Sequence, residues 1–187
     1  MRAKRGQKEK YITPYMHDLL PESKGTKRAE RVIIDFVGKK ELGRVLDIGV
    51  PNPLGTLLEK YYNLKFDHTE TDLDVGALSG KYDTIFCLEV IEHLFNPLHC
   101  LFQMRKILKN DGTLYITTPK CKPHFLWSKV HFHEFHMSEL INLFERAEFI
   151  LIRMKCMKIR PFWWYFTGLR PLLRMVFERR YLIELKK

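Results

Sequence analysis

The run RVLDIG at residues 44–49 constrains this chain most. It is a short apolar, β-branched stretch that stops at an acidic residue and a glycine, and Leu54, Leu57, Leu58 and Tyr61 then recur at helical spacing. Strand, turn and helix in that order open an α/β unit. The pattern continues along the chain. Residues 64–71 alternate weakly, are rich in Thr and read as a second strand, ending in the acidic cluster Glu70, Asp72 and Asp74. DTIFCL at 83–88 is a near-continuous apolar run of the kind buried on both faces of a parallel sheet. Asn96 and Pro97 read as the N-cap and first turn of a helix carrying Leu98, Leu101, Phe102, Arg105 and Leu108, with a turn at Asp111-Gly112. Strands are expected at 113–118, 150–157 and 181–185, and helices at 28–37 and 137–147. Strands alternating with helices predict one α/β sandwich with a mostly parallel sheet.

The 187 residues fit a single domain, 1–187, with 45% hydrophobic and 29% charged side chains, which excludes disordered and fibrous classes. A basic lead of about 25 residues precedes the first helix and lacks the apolar middle of a secretory signal. The most apolar stretch elsewhere is interrupted by Arg170 and Arg174 and is too short to span a bilayer. Cys87, Cys100, Cys121 and Cys156 form no C-x-x-C pair and read as buried free thiols of a reducing, cytoplasmic compartment. The net charge of +10 is unevenly spread. Residues 1–44 carry 12 basic and 6 acidic side chains, residues 45–100 carry 3 and 9, and residues 101–187 carry 17 and 7. An acidic centre thus lies between two basic flanks suited to an anionic partner.

In a doubly wound sheet the ligand crevice lies outside the carboxyl ends of the strands, where strand order reverses. The residues that end strands are therefore the informative ones: Asp47 and Gly49, the acids at 70–74, and residues 88–93. VLDIG at 45–49, KYDTIFCLEVIEHL at 81–94, LKNDGTLYITTP at 108–119 and HFHEFHMSELINLFERAEF at 131–149 resemble, in order, the class I S-adenosylmethionine-dependent methyltransferases. The resemblance implies a Rossmann-like methyltransferase sandwich with S-adenosylmethionine as cofactor. Asp47 and Gly49 match its first motif, beside the methionine part of the cofactor. Glu70 or Asp72, with Asp67 behind them, would take the ribose hydroxyls. Leu88 and Glu89 would border the cofactor where substrate enters.

Two departures stand out against that family. The usual D-x-G-x-G-x-G loop reads DIGVPNP here, with Pro51 and Pro53 at the second and third glycine positions, which removes backbone donors. Asn52 as N-cap and Pro53 as first helical residue would still let a helix N-terminus face the cofactor carboxylate. The span from Asp47 to Asp83 is also shorter than the family pattern, so a helix and one edge strand are expected to be missing and the adenine side more open. Methyl transfer needs donor and acceptor held in line, and a base only where the acceptor loses a proton. His93, His131 and His133 are the candidates. Glu89, Glu92 and His93 stand at i, i+3 and i+4, and with His131 they resemble the magnesium site of small-RNA 3′-terminal 2′-O-methyltransferases. Mg²⁺ prefers oxygen ligands, and we assign no metal.

RPFWWYFTGLRPLLRMVFERR at 160–180 mixes aromatic and basic residues and reads as an insertion or lid, as a peripheral contact with an anionic membrane surface, or as a stacking surface for nucleic acid. A small-molecule or a lipid- or sugar-linked acceptor is favoured over nucleic acid. The rival reading is a methyltransferase-like binding module that has lost the cofactor. A nucleotide dehydrogenase is disfavoured because no G-x-G-x-x-G follows the first strand.

Overall fold

A computed structural model describes residues 24–158 and 166–187. Among these residues six strands form one sheet in the order β2-β1-β3-β4-β6-β5. The elements run α1 (Lys24–Val37), β1 (Val45–Asp47), α2 (Pro53–Tyr62), β2 (Phe66–His68), β3 (Tyr82–Leu88), a 3-10 turn (Ile91–His93), α3 (Pro97–Ile107) and β4 (Leu108–Pro119). A second 3-10 turn (His124–Leu126), α4 (Met137–Arg146), β5 (Ile150–Met157), α5 (Leu169–Phe177) and β6 (Arg180–Lys186) complete them. Strands β1 to β4 pair in parallel, while β6 runs antiparallel to both β4 and β5. This is the mostly parallel, Rossmann-like sandwich expected.

Period-2 alternation sorts the core into two layers. Val45, Phe86, Tyr115 and Leu182 face one side, where Ile33, Phe36 and Val37 of α1 and Leu58 of α2 cover them. Leu46, Ile85, Cys87, Leu114, Ile116 and Ile183 face the other, under Leu101 and Met104 of α3 and Leu140 and Phe144 of α4. Each layer buries a full set of large apolar side chains, worth about 1.5–3 kcal/mol apiece relative to exposure. Strand β1 lies between β2 and β3, so the chain reverses direction across the sheet there, and the carboxyl ends of β1 and β3 flank the switch point.

Several elements depart from expectation. Strand β2 covers only Phe66–His68, because Thr69 turns inward to serve β1. No helix lies between β2 and β3, and β2 forms the sheet edge among the described residues, in keeping with the short middle. Leu108 belongs to β4 and not to the preceding helix. It pairs with Tyr82, Thr113 pairs with Thr84, and the residues between them, Asp111 and Gly112 included, bulge from the strand. Cys87 and Cys100 are buried free thiols, whereas Cys121 is half-buried and Cys156 is exposed on the edge strand β5, correcting the reading of all four as buried. Most of the basic lead, and the aromatic residues Phe162 to Tyr165, lie outside the described residues. No helix among the described residues is long and apolar enough to cross a membrane.

Candidate active site

The first half of the site forms where β1 and β2 end. Asp47 is 2% exposed, and burial pushes its carboxyl up to about 7 against the single hydrogen bond from Asn52. Gly49 leaves β1 with φ 111°, a conformation that disfavours any side chain. Its N–H donates to Thr69 Oγ1 at 2.7 Å and its carbonyl accepts from Thr69 N at 3.0 Å, so the exits of the two strands are locked together. Asn52 caps α2: its Oδ1 accepts from the N–H groups of Leu54 and Gly55, both at 3.0 Å, and its Nδ2 donates to Asp47 Oδ2 at 3.3 Å. Cap and first-turn proline are as the sequence predicts. The consequence differs: the first N–H groups of α2 are engaged by Asn52 itself rather than held open for an anion.

Glu70 and Asp72 are both exposed beyond the end of β2, and Asp72 Oδ1 accepts from Asp74 N at 3.0 Å in a local turn. Asp67 is held instead by Arg44, with Nη2 to Oδ2 at 2.7 Å, and that hydrogen bond keeps its carboxyl below the usual range. His68 brings Nδ1 to within 3.7 Å of Asp47 Oδ2. The segment after β2 is tied to α3, because Asp74 Oδ1 accepts from Asn96 N at 2.8 Å and His99 Nε2 meets the Gly76 carbonyl at 3.0 Å.

The second half forms where β3 and β4 end. Leu88 closes β3, and Glu89 follows in the left-handed region at φ 57°, unusual for a side chain of this size. The Glu89 N–H donates to Thr117 O at 2.9 Å and to its Oγ1 at 3.1 Å. Its carboxylate does not join the helical face expected for Glu89, Glu92 and His93. Oε2 lies 2.6 Å from Arg180 Nε on β6, and Oε1 is buried with no partner among the described residues.

Glu92 is 1% exposed. Oε2 accepts from Thr118 Oγ1 at 3.1 Å, Oε1 has no partner among the described residues, and burial beside Glu89 pushes the carboxyl well above its ordinary range. The Glu92 carbonyl accepts from the N–H groups of Phe132 and His133, which docks the segment carrying the other two histidines. His93 and His131 meet edge to face with ring centroids 4.8 Å apart. His93 Nδ1 lies 2.9 Å from the Val130 carbonyl and His131 Nδ1 lies 3.0 Å from Glu134 Oε1. Both acceptors require a proton on Nδ1 in the neutral ring, which leaves Nε2 as the lone-pair nitrogen.

Glu134 in turn receives Lys122 Nζ at 2.5 and 2.7 Å. Burial opposes the Glu134 charge, but the hydrogen bonds from His131 and Lys122 outweigh it and hold the carboxyl low. Ligand atoms of Glu92, His93 and His131 lie within 4.8 Å of one another, close enough to share a cation, while Glu89 is turned to Arg180. His133 is not brought to this group. It stacks on Phe135 and lines a hollow of about 350 Å³ with Pro97, Trp127, Phe132, Leu143 and Glu134, the last being the hollow's link to His131.

Thr69, Gly55, Glu134 and Arg180 were not singled out in the sequence. Gly55 had a readable signal, a glycine in the first turn of a helix: a Cβ there would meet Asp47 Oδ2 at 2.7 Å. Glu134 stands between the candidate histidines and Phe135, and only its contacts with His131 and Lys122 set it apart.

A family model described as a methyltransferase domain matches residues 22–153, most of the chain. The chain belongs to this methyltransferase-domain family. Among curated proteins it is 45% identical over 38 residues to the ubiquinone biosynthesis O-methyltransferase of Glaesserella parasuis serovar 5 (strain SH0165), covering 20% of this chain and 16% of that one. It is 30% identical over 56 residues to the protein of the same name from Haemophilus ducreyi (strain 35000HP / ATCC 700724), covering 30% and 21%. These matches span at most about a fifth of either relative. The fold is shared with a SAM-dependent methyltransferase from Archaeoglobus fulgidus (TM-score 0.60, 16% identity, 87% of this chain and 94% of that one). It is shared too with the 1,6-didemethyltoxoflavin-N1-methyltransferase of Burkholderia thailandensis (TM-score 0.61, 13% identity, 100% and 91%).

Proposed function

We propose that the protein transfers the methyl group of S-adenosylmethionine to an oxygen or nitrogen of a small-molecule acceptor. The observation that carries this reading is the arrangement of His131 against Glu134 and Lys122, facing His93 and Glu92 beside the end of β3. The site fits the cofactor at Gly49, whose φ of 111° leaves the exit of β1 without a side chain, and in charge, since residues 45–100 hold three times as many acids as bases. Asp47, Gly49 and Glu89 would hold the methionine and sulfonium end, and exposed Glu70 or Asp72 the ribose. The cofactor supplies an electrophilic methyl on a positively charged sulfur.

The chain's own residues supply orientation and proton transfer. As the acceptor oxygen or nitrogen forms its bond to the methyl carbon and the carbon–sulfur bond breaks, the acceptor's proton passes to Nε2 of His131. Glu134 holds the ring in the correct tautomer and favours the imidazolium that results, with Lys122 fixing Glu134. Glu134 is thus a positioning residue. His93 packs on the His131 ring and narrows its range of motion. No metal takes part in this reading, so a chelator should leave turnover unchanged; loss of activity restored by a divalent cation would move the assignment to Glu92, His93 and His131.

Titration with S-adenosylhomocysteine tests the reading directly. Binding with a thermal upshift supports it, while no heat and no shift at millimolar ligand would leave the non-catalytic module standing. On α5, Leu169, Leu172 and Val176 are exposed at i, i+3 and i+7. With the basic flank this supports a second, compatible reading, contact with an anionic membrane where an apolar acceptor is met. Co-sedimentation with phosphatidylglycerol vesicles but not with phosphatidylcholine vesicles is the expected result, and equal recovery with both would sink it.

A further inference from the structure

The methyltransferase reading makes no use of Arg180. This residue opens β6 opposite Pro119 of β4 and Met157 of β5, which places it at the carboxyl edge of the parallel strands, on the far side of β4 from the Asp47 half. Its side chain is only 19% exposed. Glu89 is its one ion-pair partner among the described residues, through Nε. Its partner Glu89 follows β3, and Thr118, the neighbour of the facing Pro119, donates to Glu92, so Arg180 lies beside the Glu92 end of the His131 group and acts electrostatically on Glu92, His93 and Glu134.

A guanidinium carries five N–H donors in a flat fork, and withdrawing it from water costs free energy unless those donors find partners. Contact at Nε leaves the fork of two terminal nitrogens without a hydrogen-bond partner among the described residues, and none of the nitrogens of Arg180 is among the fully buried atoms lacking a partner, so the fork is not sealed off. A fork presented in that way matches the two oxygens of a carboxylate or phosphate. Phe95 and Phe132 stack at 3.8 Å between centroids while 71% and 50% exposed, forming a flat apolar lip just after His93 and His131 in the chain.

We propose that Arg180 is an anion anchor of the acceptor site: it holds a carboxylate or phosphate borne by the acceptor, whose hydroxyl or amine is thereby set before His131. The acceptor class is then a planar or apolar molecule carrying both a methylatable group and an anionic group. The placing of the methylatable group rests on the proposed methyl transfer, whereas the anion site is read from Arg180 itself. Glu89 competes for the same guanidinium in the absence of acceptor, which gives the two residues opposite effects on anion binding.

Calorimetric titration of the full chain, with and without saturating S-adenosylhomocysteine, tests this using 4-hydroxybenzoate, phenyl phosphate and uncharged phenol. The expected result is that at least one anion binds about tenfold more tightly than phenol, that Arg180→Gln removes the difference, and that Arg180→Lys retains part of it. The better of the two anions tells carboxylate from phosphate. Glu89→Gln breaks the same ion pair but is expected to raise anion affinity about threefold or more, so an effect of lost packing, which would lower affinity in both variants, is told apart. Equal binding of all three probes, no anion binding up to about 10 mM, or the same sign of change in Arg180→Gln and Glu89→Gln overturns the anchor. Should S-adenosylhomocysteine bind while the anion contrast is absent, the anchor falls and the methyltransferase reading stands. Should the nucleoside fail to bind, the anion arm without it still decides on Arg180.

Discussion

The two halves of the crevice are built on opposite principles. At the ends of β1 and β2 most polar groups satisfy one another: Gly49 with Thr69, Asn52 with the first turn of α2, Asp47 with Asn52, His68 Nδ1 being the buried exception at 3.7 Å from Asp47 Oδ2. At the ends of β3 and β4 they do not, because Glu89 Oε1 and Glu92 Oε1 are both buried without a partner among the described residues. Leaving a buried carboxylate oxygen unpaired costs about 1–3 kcal/mol or more, so such atoms persist where a ligand, ion or water completes them. The difference teaches that the first half is a cradle largely closed on itself, and that the second carries the unpaired carboxyl oxygens on which the proposed acceptor site rests.

The largest effect is expected in the second half. His131→Gln should lower kcat about 10²- to 10³-fold, in an assay following S-adenosylhomocysteine release with an acceptor of the class proposed above, and leave S-adenosylhomocysteine affinity within about twofold. A loss below about threefold would remove His131 from proton transfer. Glu134→Asp should retain more kcat than Glu134→Gln at similar KM, since the shorter carboxylate can still hold Nδ1; equal losses would reduce Glu134 to packing.

The cradle has its own signature, in pH. Burial raises Asp47 to about 7 in the folded state from 3.8, so the native protein binds a proton that the unfolded chain has lost. That contribution to stability is fully present below about pH 4 and is lost as pH rises through about 7, by up to about 4 kcal/mol if Asp47 acts alone. Asp47→Asn should flatten this slope, as urea unfolding at pH 5 and pH 8 would show; an unchanged slope would assign the titration elsewhere. Binding of the sulfonium favours ionised Asp47, so proton release on binding is expected near neutrality, visible as a binding heat that depends on the buffer.

A smaller effect separates space from charge. In Gly55→Ala the new Cβ would stand 2.7 Å from Asp47 Oδ2. Alanine favours the helix by about 1 kcal/mol, but moving a buried carboxylate clamped by Asn52 costs about 1–3 kcal/mol. The clash should win, with a lower Tm and weaker S-adenosylhomocysteine binding together. A stabilised variant would mean that Asp47 is free to move, and the cradle would not be rigid.

What the sequence made legible follows the same division. Asp47, Gly49, Asn52 and Pro53 announce themselves within seven residues because a strand end, a tight turn and a helix cap are local events. The sheet was readable for a similar reason, since alternation such as Leu46 and Ile48 against Val45 is set by neighbours in sequence. Leu108 was misassigned because it satisfies helical spacing and a strand pairing at once, and only its contact with Tyr82 decides. Residues 69–71 were expected in β2 on composition, yet the Thr69 hydroxyl serves Gly49 instead. The second half depends on contacts distant in sequence. Nothing around Arg180 marks it as the partner of Glu89, and the spacing of Glu89, Glu92 and His93 implies one helical face where the backbone turns left-handed at Glu89 and separates them.

Asn52 stands at the join of these arguments and gives the smallest effect. The sequence offers it as a cofactor-binding residue, but both ends of its amide are engaged, Oδ1 with Leu54 and Gly55 and Nδ2 with Asp47. Asn52→Ala should therefore cost about 1 kcal/mol of stability, the ordinary value of a lost N-cap, and change S-adenosylhomocysteine affinity by less than about threefold. The two N–H groups it releases would then face the loop at 49–52, where the positive end of α2 could receive the nucleoside's carboxylate and offset any lost contact. A fall in affinity of more than about tenfold with little change in Tm would reverse the assignment, making Asn52 a direct ligand and the cradle less self-contained than the half built around Glu89 and Arg180.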